Sequence, residues 1–341
     1  MISIILVSLL MMYDLTVNWT GIESLRKITF LPGFFVTGVK AIVLIHNSPQ
    51  LIKIVNSLKH FWPPDNFDIE VAKKYHWVFK MITFLCINYA SFGYVICAGM
   101  FASTIMDYHN RTLIYSDFVF CNLQSLSCYI PMLIWQCIAM YLQIVPAALG
   151  FDAIFIIFIG YILCACDLIK AGMESLNTND VLRRKYILKK IAQQHDFILD
   201  FINNLNDMFS AVMLLQFWCS LWSMILFLNM LAASGWPPNM GDVALLGSLY
   251  VIIVFQIFLY AYSGALLEER VKSLSTDMYM VNWYDKDRTK LRQDLAFMIL
   301  RANKTKILHA GKMSNLNLDL FIVTVKNSLS VFTLIWQLSE Q

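Results

Sequence analysis

The sequence predicts an all-α polytopic membrane protein with seven transmembrane helices, a cytosolic amino terminus and an extracellular carboxyl terminus. Three observations predict it. Hydrophobic residues make up 58% of the 341, charged residues 14%, and the mean hydropathy is +0.60, well outside the soluble average. The apolar residues gather in seven runs bounded by charge or turn clusters, at about 2–19, 28–52, 77–104, 129–168, 209–232, 243–266 and 318–337. Lysine and arginine concentrate in the connections that follow the even-numbered runs, the bias that marks cytosolic loops. No repeat or low-complexity segment divides the chain, so residues 1–341 read as a single membrane domain.

Span one is the shortest, because its uninterrupted apolar part ends at Asp14 and no basic residue precedes it. It fits neither a signal peptide nor a full span with its cytosolic flank, and the chain is expected to begin late. Span two opens Phe30-Leu31-Pro32-Gly33-Phe34-Phe35 and leads to a connection holding Lys53, Lys59, Lys73, Lys74 and Lys80. Span three carries Tyr89, Phe92, Gly93, Tyr94, Cys97 and Phe101, and span four carries Ile144, Ala148, Phe151 and Asp152. Its periodic pattern runs on through Ile169, so the helix is expected to leave the bilayer without a break.

Beyond it, residues 169–208 read as a cytosolic helical segment, since Ile187, Ile191, His195, Ile198 and Ile202 recur at helical spacing. Lys170, Arg183, Arg184, Lys185, Lys189 and Lys190 fill its other faces. Span six contains Tyr250 and Ile253. The segment 267–317 again reads as amphipathic helix, through Leu274, Met278, Leu291, Leu295 and Met298-Ile299. Such faces must pack on one another or on another chain, which makes them the expected intersubunit anchor. Outside these basic segments and Lys326, only Arg26, Lys27, Lys40 and Arg111 remain.

The sequons Asn18-Trp-Thr and Asn110-Arg-Thr fall outside on this topology, while Asn303-Lys-Thr falls inside and is expected to be silent. Of eight cysteines only Cys121 and Cys128 are loop-borne, which makes them the candidates for a disulfide in an oxidising compartment.

Span seven, LDLFIVTVKNSLSVFTLIWQ, gives roughly 30 Å of helix, enough to cross a bilayer. Yet it carries Lys326, Asn327, Ser330, Thr333 and Gln337, and polar groups at membrane depth must face protein or water. Asn327, Ser330, Leu334 and Gln337 fall on one helical face. Either that face lines a pore or it bonds a neighbouring helix.

Enzyme chemistry has no footing in the sequence. The six histidines are scattered, with no HExxH and no Cys/His zinc spacing, and no phosphate-binding or nucleophile-elbow motif occurs. No catalytic residue, metal site, cofactor or nucleic-acid partner is called. Spans two to six hold few ionisable groups, chiefly Lys40 and Asp152, fewer than an ion-coupled transporter needs. Aromatic and soft apolar residues there could line a pocket for a small lipid-soluble ligand.

The carboxyl-terminal third resembles the insect odorant receptors. The likeness rests on Tyr262-Ser-Gly-Ala-Leu-Leu-Glu-Glu, on Asn282-Trp283-Tyr284, on Met298-Ile299-Leu300-Arg301-Ala302, and on Lys326-Asn-Ser-Leu-Ser-Val-Phe332-Thr333-Leu334. Asp152-Ala-Ile-Phe155 and Leu215-Gln216-Phe217 extend it upstream. Val331 stands where an aromatic is usual. The resemblance implies a tuning subunit, not the co-receptor, because the segment between spans four and five is short. It also implies a heterotetrameric odorant-gated cation channel with the co-receptor Orco, in the plasma membrane of olfactory dendrites. The seventh span would line the pore, with a hydrophobic gate at Leu334 and an outer amide at Gln337 beside Asn327 and Ser330. The ligand site would take Leu31, Phe34 and Phe35 from span two, Gly93, Tyr94 and Cys97 from span three, Ile144, Ala148 and Phe151 from span four, and Tyr250 and Ile253 from span six. The cytosolic segment that precedes span one in the family is missing, so an incomplete or assembly-compromised start is expected. Three other readings stay open. A gustatory-type channel would carry a Thr-Tyr…Gln-Phe final span, a transporter would move substrate without current, and a G-protein-coupled receptor would need the opposite topology.

Overall fold

A computed structural model describes residues 9, 11–13, 16, 22–64, 67, 69–106, 125–177, 180–233, 240–284, 289–304 and 306–339. Span one, Asn18, Asn110 and Cys121 therefore lie wholly or largely outside the described residues.

The described chain is helical almost throughout: α1 Ile22–His46, α2 Ser48–Ser57, α3 Ile69–Met106, α4 Leu126–Ala139, α5 Val145–Glu174, α6 Val181–Ala233, α7 Met240–Tyr279, α8 Thr289–Ala302 and α9 Leu318–Ser339. Six stretches of it are long and apolar enough to cross a bilayer, and they coincide with spans two to seven. Span two is not one helix. It breaks at Asn47, where the next helix restarts with Pro49 in its first turn, the position at which a missing N–H costs nothing.

α6 is the axis of the molecule. Its 53 residues extend for roughly 80 Å, and it packs against α1, α5, α7 and α9. The part before residue 209 overshoots the bilayer thickness and carries the arginines and lysines of the basic end. There the isoleucine stripe is buried as its spacing predicts: Ile191, Ile198 and Ile202 are fully covered and join Leu205, Leu267, Val271, Leu274, Leu291 and Leu295 in one core. At the same end Asp167 accepts from Lys74 at 2.9 Å and from Arg270, tying α5 to α3 and α7. Arg301 reaches Asp196 at 3.0 Å, tying α8 to α6. Deeper in the bundle the core becomes aromatic, with Phe209 tilted against Phe151 and Phe155 at 5.0 and 5.5 Å between centroids.

Two local features depart from plain helix. α4 and α5 form one rod interrupted by a π turn over Met140–Ile144. Pro146 explains it, because the residue has no N–H for the carbonyl four positions back and its ring crowds that carbonyl. Between α8 and α9 the expected helix gives way to an antiparallel hairpin, His309–Ala310 with Ser314–Asn315. Gly311 and Lys312 both have positive φ, 63° and 60°, as a tight turn compatible with strand twist requires. Ser210 on α6 accepts the Gly311 N–H at 2.9 Å, while Asn206 accepts from the His309 N–H at 2.9 Å and donates to the Ile307 carbonyl at 2.8 Å. The hairpin is thereby clamped along α6 and sets where α9 starts. Asn317 caps that start by accepting the Leu320 N–H at 3.1 Å.

α9 leans on α6 and α7 by one edge only. Thr324 and Ser328 are buried there, and each hydroxyl donates back to its own helix, at 2.7 Å in both cases.

Candidate ligand cavity and pore face

Away from the basic end, α1, α3, α5, α6, α7 and the π turn line a partly open cavity of about 220 Å³, smaller than the ~300–1,000 Å³ of pockets for drug-sized ligands. Its upper wall is apolar and soft: Phe34, Cys97, Met100, Met140 and Ile144 belong to a packed cluster of their own. The π turn supplies Met140 and Ile144 to this wall.

Its floor is polar. Lys40 is 1% exposed and donates to Asp152 Oδ1 at 2.7 Å and to the Tyr260 hydroxyl at 3.1 Å. Tyr260 donates to the same carboxylate oxygen. The other oxygen accepts from the Tyr89 hydroxyl at 3.2 Å and from Gln256 Nε2 at 2.6 Å. Four donors thus saturate the carboxylate, and the lysine is further held 5.4 Å over the Phe151 ring and 5.5 Å over that of Tyr260. A buried ion pair survives only when geometry and extra hydrogen bonds offset desolvation, and here both are present. Gln256 Oε1 in turn accepts from Gln216 Nε2 at 3.0 Å, which also donates to Ser220 Oγ at 3.0 Å.

Of the residues named for the ligand site, Phe34, Gly93, Cys97, Ile144, Ala148 and Ile253 come together on this cavity. The others do not reach it. Phe35 follows Phe34 by one residue, about 100° round the helix, and is 54% exposed. Phe151 is fully buried in the core beneath Lys40, Tyr250 packs on that same core, and Leu31 backs the apolar cluster. Tyr94 lines a second, adjoining apolar cavity of about 620 Å³ between α3, α5 and α7. Tyr89 and Leu149 border both cavities, and Leu85, Phe255 and Tyr262 leave the second one open on the bundle surface.

Sequence reasoning named Tyr89 only among the span-three aromatics able to line a pocket, and missed Gln216, Ser220 and Gln256 as site residues. A signal existed in Lys40 and Asp152, the isolated ionisable groups of these spans, because charges at membrane depth require partners. The identity of those partners depends on contacts between residues more than 60 positions apart.

Asn327, Ser330, Leu334 and Gln337 all lie exposed on one side of α9, with Leu334 56% exposed, on the side turned away from the rest of the described bundle. Cys128, buried at the start of α4, is disulfide-bonded. No cluster of metal-ligating side chains occurs among the described residues.

The family model described as 7tm Odorant receptor matches residues 20–329. Odorant receptor 85c of Drosophila melanogaster is 32% identical over 130 residues, 38% of this chain and 32% of that protein. Odorant receptor 83a of the same species is 20% identical over 175 residues, 51% and 38% respectively. The matches thus span about a third of the length of these curated relatives. In fold, the olfactory receptor OR5 of Machilis hrabei superposes with a TM-score of 0.82 at 16% identity, over 98% of this chain and 86% of that one. The same receptor in complex with eugenol gives 0.79, over 98% and 88%. With the match covering nearly the whole sequence and the helical architecture shared from end to end, the chain belongs to the insect odorant receptor family.

Proposed function

We propose that this chain is the odorant-binding subunit of a heteromeric cation channel completed by the co-receptor Orco. The cavity of about 220 Å³ binds a small volatile ligand, and α9 lines the pore. The observation that carries the reading is the pairing of these two features in one bundle. A cavity with soft apolar walls and a few convergent polar groups lies between packed helices, while a helix of sufficient length to span the bilayer turns two amides, a hydroxyl bonded only to its own helix and a leucine away from the rest of the described bundle. Leu334 closes the pore by dewetting, and Gln337 replaces part of an ion's hydration shell. The complex of the Machilis receptor with eugenol supports a ligand role for a cavity in this fold.

On this reading the amino terminus and the basic segments lie in the cytosol, Asn18 and Asn110 carry glycans, and Cys121 pairs with Cys128. The cavity then sits in the outer half of the bundle. The exposed apolar side chains of the basic end, Leu182, Tyr186, Phe297, Leu300 and Met313, meet neighbouring subunits.

The test is whole-cell current from cells expressing the chain with and without Orco, challenged with volatile esters, alcohols, aromatics and terpenoids. A cation current that needs both subunits and a ligand is the expected result. Ala148→Trp, which fills the cavity, abolishes the response while leaving surface expression intact. Ligand-evoked current from this chain expressed without Orco would overturn the heteromer. Unaltered ligand potency in Ala148→Trp would overturn the cavity.

A further inference from the structure

The direction of the amides in the cavity floor is fixed from below. Asp152 is an acceptor only, so Gln256 must turn its NH₂ toward the carboxylate, as its 2.6 Å contact shows. Its Oε1 then faces Gln216, which must answer with its own NH₂. The second N–H of that group is taken by Ser220 Oγ. Gln216 Oε1 is consequently left facing away from the relay, and it is buried without a hydrogen-bond partner, in a residue 3% exposed that lines the cavity. Turning either amide over would set oxygen against oxygen. The lone acceptor is therefore dictated by a carboxylate two residues away in the relay. An unmet buried acceptor is costly, and a ligand that supplies a donor recovers that cost.

We infer, on the reading of this cavity as the odorant site, that it selects a neutral hydroxyl donor, an alcohol or phenol, whose O–H donates to Gln216 Oε1. Esters, ethers and ketones of the same size bring only acceptors and leave Gln216 unmet. A protonated amine would meet Lys40, with no acceptor remaining on Asp152.

The experiment uses the detergent-solubilised full chain and reads thermal stabilisation by isomeric pairs: heptanol against hexyl methyl ether, and phenylethanol against benzyl methyl ether. A ligand that binds only the native state raises the unfolding temperature according to its affinity. Each alcohol is expected to act at about a tenfold lower concentration than its ether, the equivalent of one hydrogen bond. In Gln216→Met the alcohols fall to the level of the ethers, whose own effect stays within about twofold. In Gln256→Leu the Gln216 amide is free to turn and offers either its oxygen or its nitrogen, so the preference drops to about twofold while Gln216 remains. Equal potency of the isomers in the unsubstituted chain overturns the inference, as does a full preference surviving in either variant. Ala148→Trp separates the cavity from its selectivity. Loss of stabilisation by both classes keeps the cavity as the site, whereas stabilisation that survives in this variant overturns the cavity reading and the hydroxyl selectivity with it.

Discussion

Single residues in this protein are held by partners that the sequence places far away. Lys40 and Asp152 are 112 positions apart yet form a pair shielded almost completely from solvent. Removing one member strands the other, which in buried pairs costs about 3–5 kcal/mol. Lys40→Met is accordingly expected to lower the thermal stability of the solubilised chain sharply, and Lys40→Met with Asp152→Asn to recover a large part of it; additive losses in the double variant would disprove the coupling. At the basic end His195 is 3% exposed, and its Nε2 has no hydrogen-bond partner. Burial first, and the nearby Arg301 second, hold its pKa below the ordinary value of about 6.5 against the opposing pull of Asp196. The unfolded chain then binds the proton more readily, so stability is full above about pH 6.5 and is lost as pH falls toward the lower native value. Thermal unfolding at about pH 7.5 and about pH 5.5 should show this loss, and His195→Leu should flatten it. The histidine's place in a buried stripe was legible from its helical spacing with four isoleucines. The missing partner of its ring nitrogen was not, because it depends on what α8 brings across.

Elements were legible where periodicity is long and illegible where one residue redirects the chain. Six spans and the long α6 follow from apolar run length and from an isoleucine stripe that continues past the bilayer. The hairpin before α9 does not, since four paired residues leave no period to read. Its geometry makes opposite predictions for neighbours. A Cβ on Gly311 would come within 2.3 Å of a Leu214 methyl and would carry a side chain into positive φ, so Gly311→Ala is expected to destabilise by about 1–3 kcal/mol. Lys312 already bears that conformational cost at φ 60°, so Lys312→Gly is expected to be neutral or to gain up to about 1 kcal/mol. Proteolysis between α8 and α9 reads both, and equal behaviour of the two variants would refute the turn assignment. The π turn was likewise hidden, although its cause, Pro146, is visible in the sequence. A proline in a long apolar run announces a disturbed ladder without saying whether the helix kinks or widens. Here it widens, and the widening supplies two residues of the cavity wall. Five of the eleven expected ligand residues fell elsewhere for a related reason: adjacent positions such as Phe34 and Phe35 cannot share a helix face, and family likeness fixes the helix more readily than the face.

At the scale of the whole molecule, the bundle leaves one span poorly covered. α9 touches α6 and α7 with Thr324, Ser328 and their neighbours, and turns Asn327, Ser330, Leu334 and Gln337 away from the rest of the described bundle. Lipid is a poor partner for this face, because each amide at membrane depth costs free energy that an apolar side chain would not. A water-filled axis shared with other subunits is a good one, since the amides are then hydrated and only Leu334 meets its counterparts. The two environments respond oppositely to substitution. Against lipid, Gln337→Leu would raise thermal stability and leave any current untouched. Along a pore, Gln337→Glu changes the reversal potential in favour of divalent cations, and Leu334→Ser wets the constriction and raises current in the absence of ligand. The second outcome is expected, and it carries one further consequence for how ligand and pore communicate. α7 both lines the cavity, through Ile253 and Gln256, and packs against α9 through Phe258, whose ring lies 5.6 Å from that of Phe321. A ligand that shifts α7 therefore reaches α9 across their shared packing, in which the Phe258–Phe321 ring contact lies two residues from the cavity wall. Phe258→Ala is expected to leave ligand-induced thermal stabilisation unchanged while lowering the maximal evoked current. Loss of both together would place Phe258 in the fold of the site, not in its coupling to the pore.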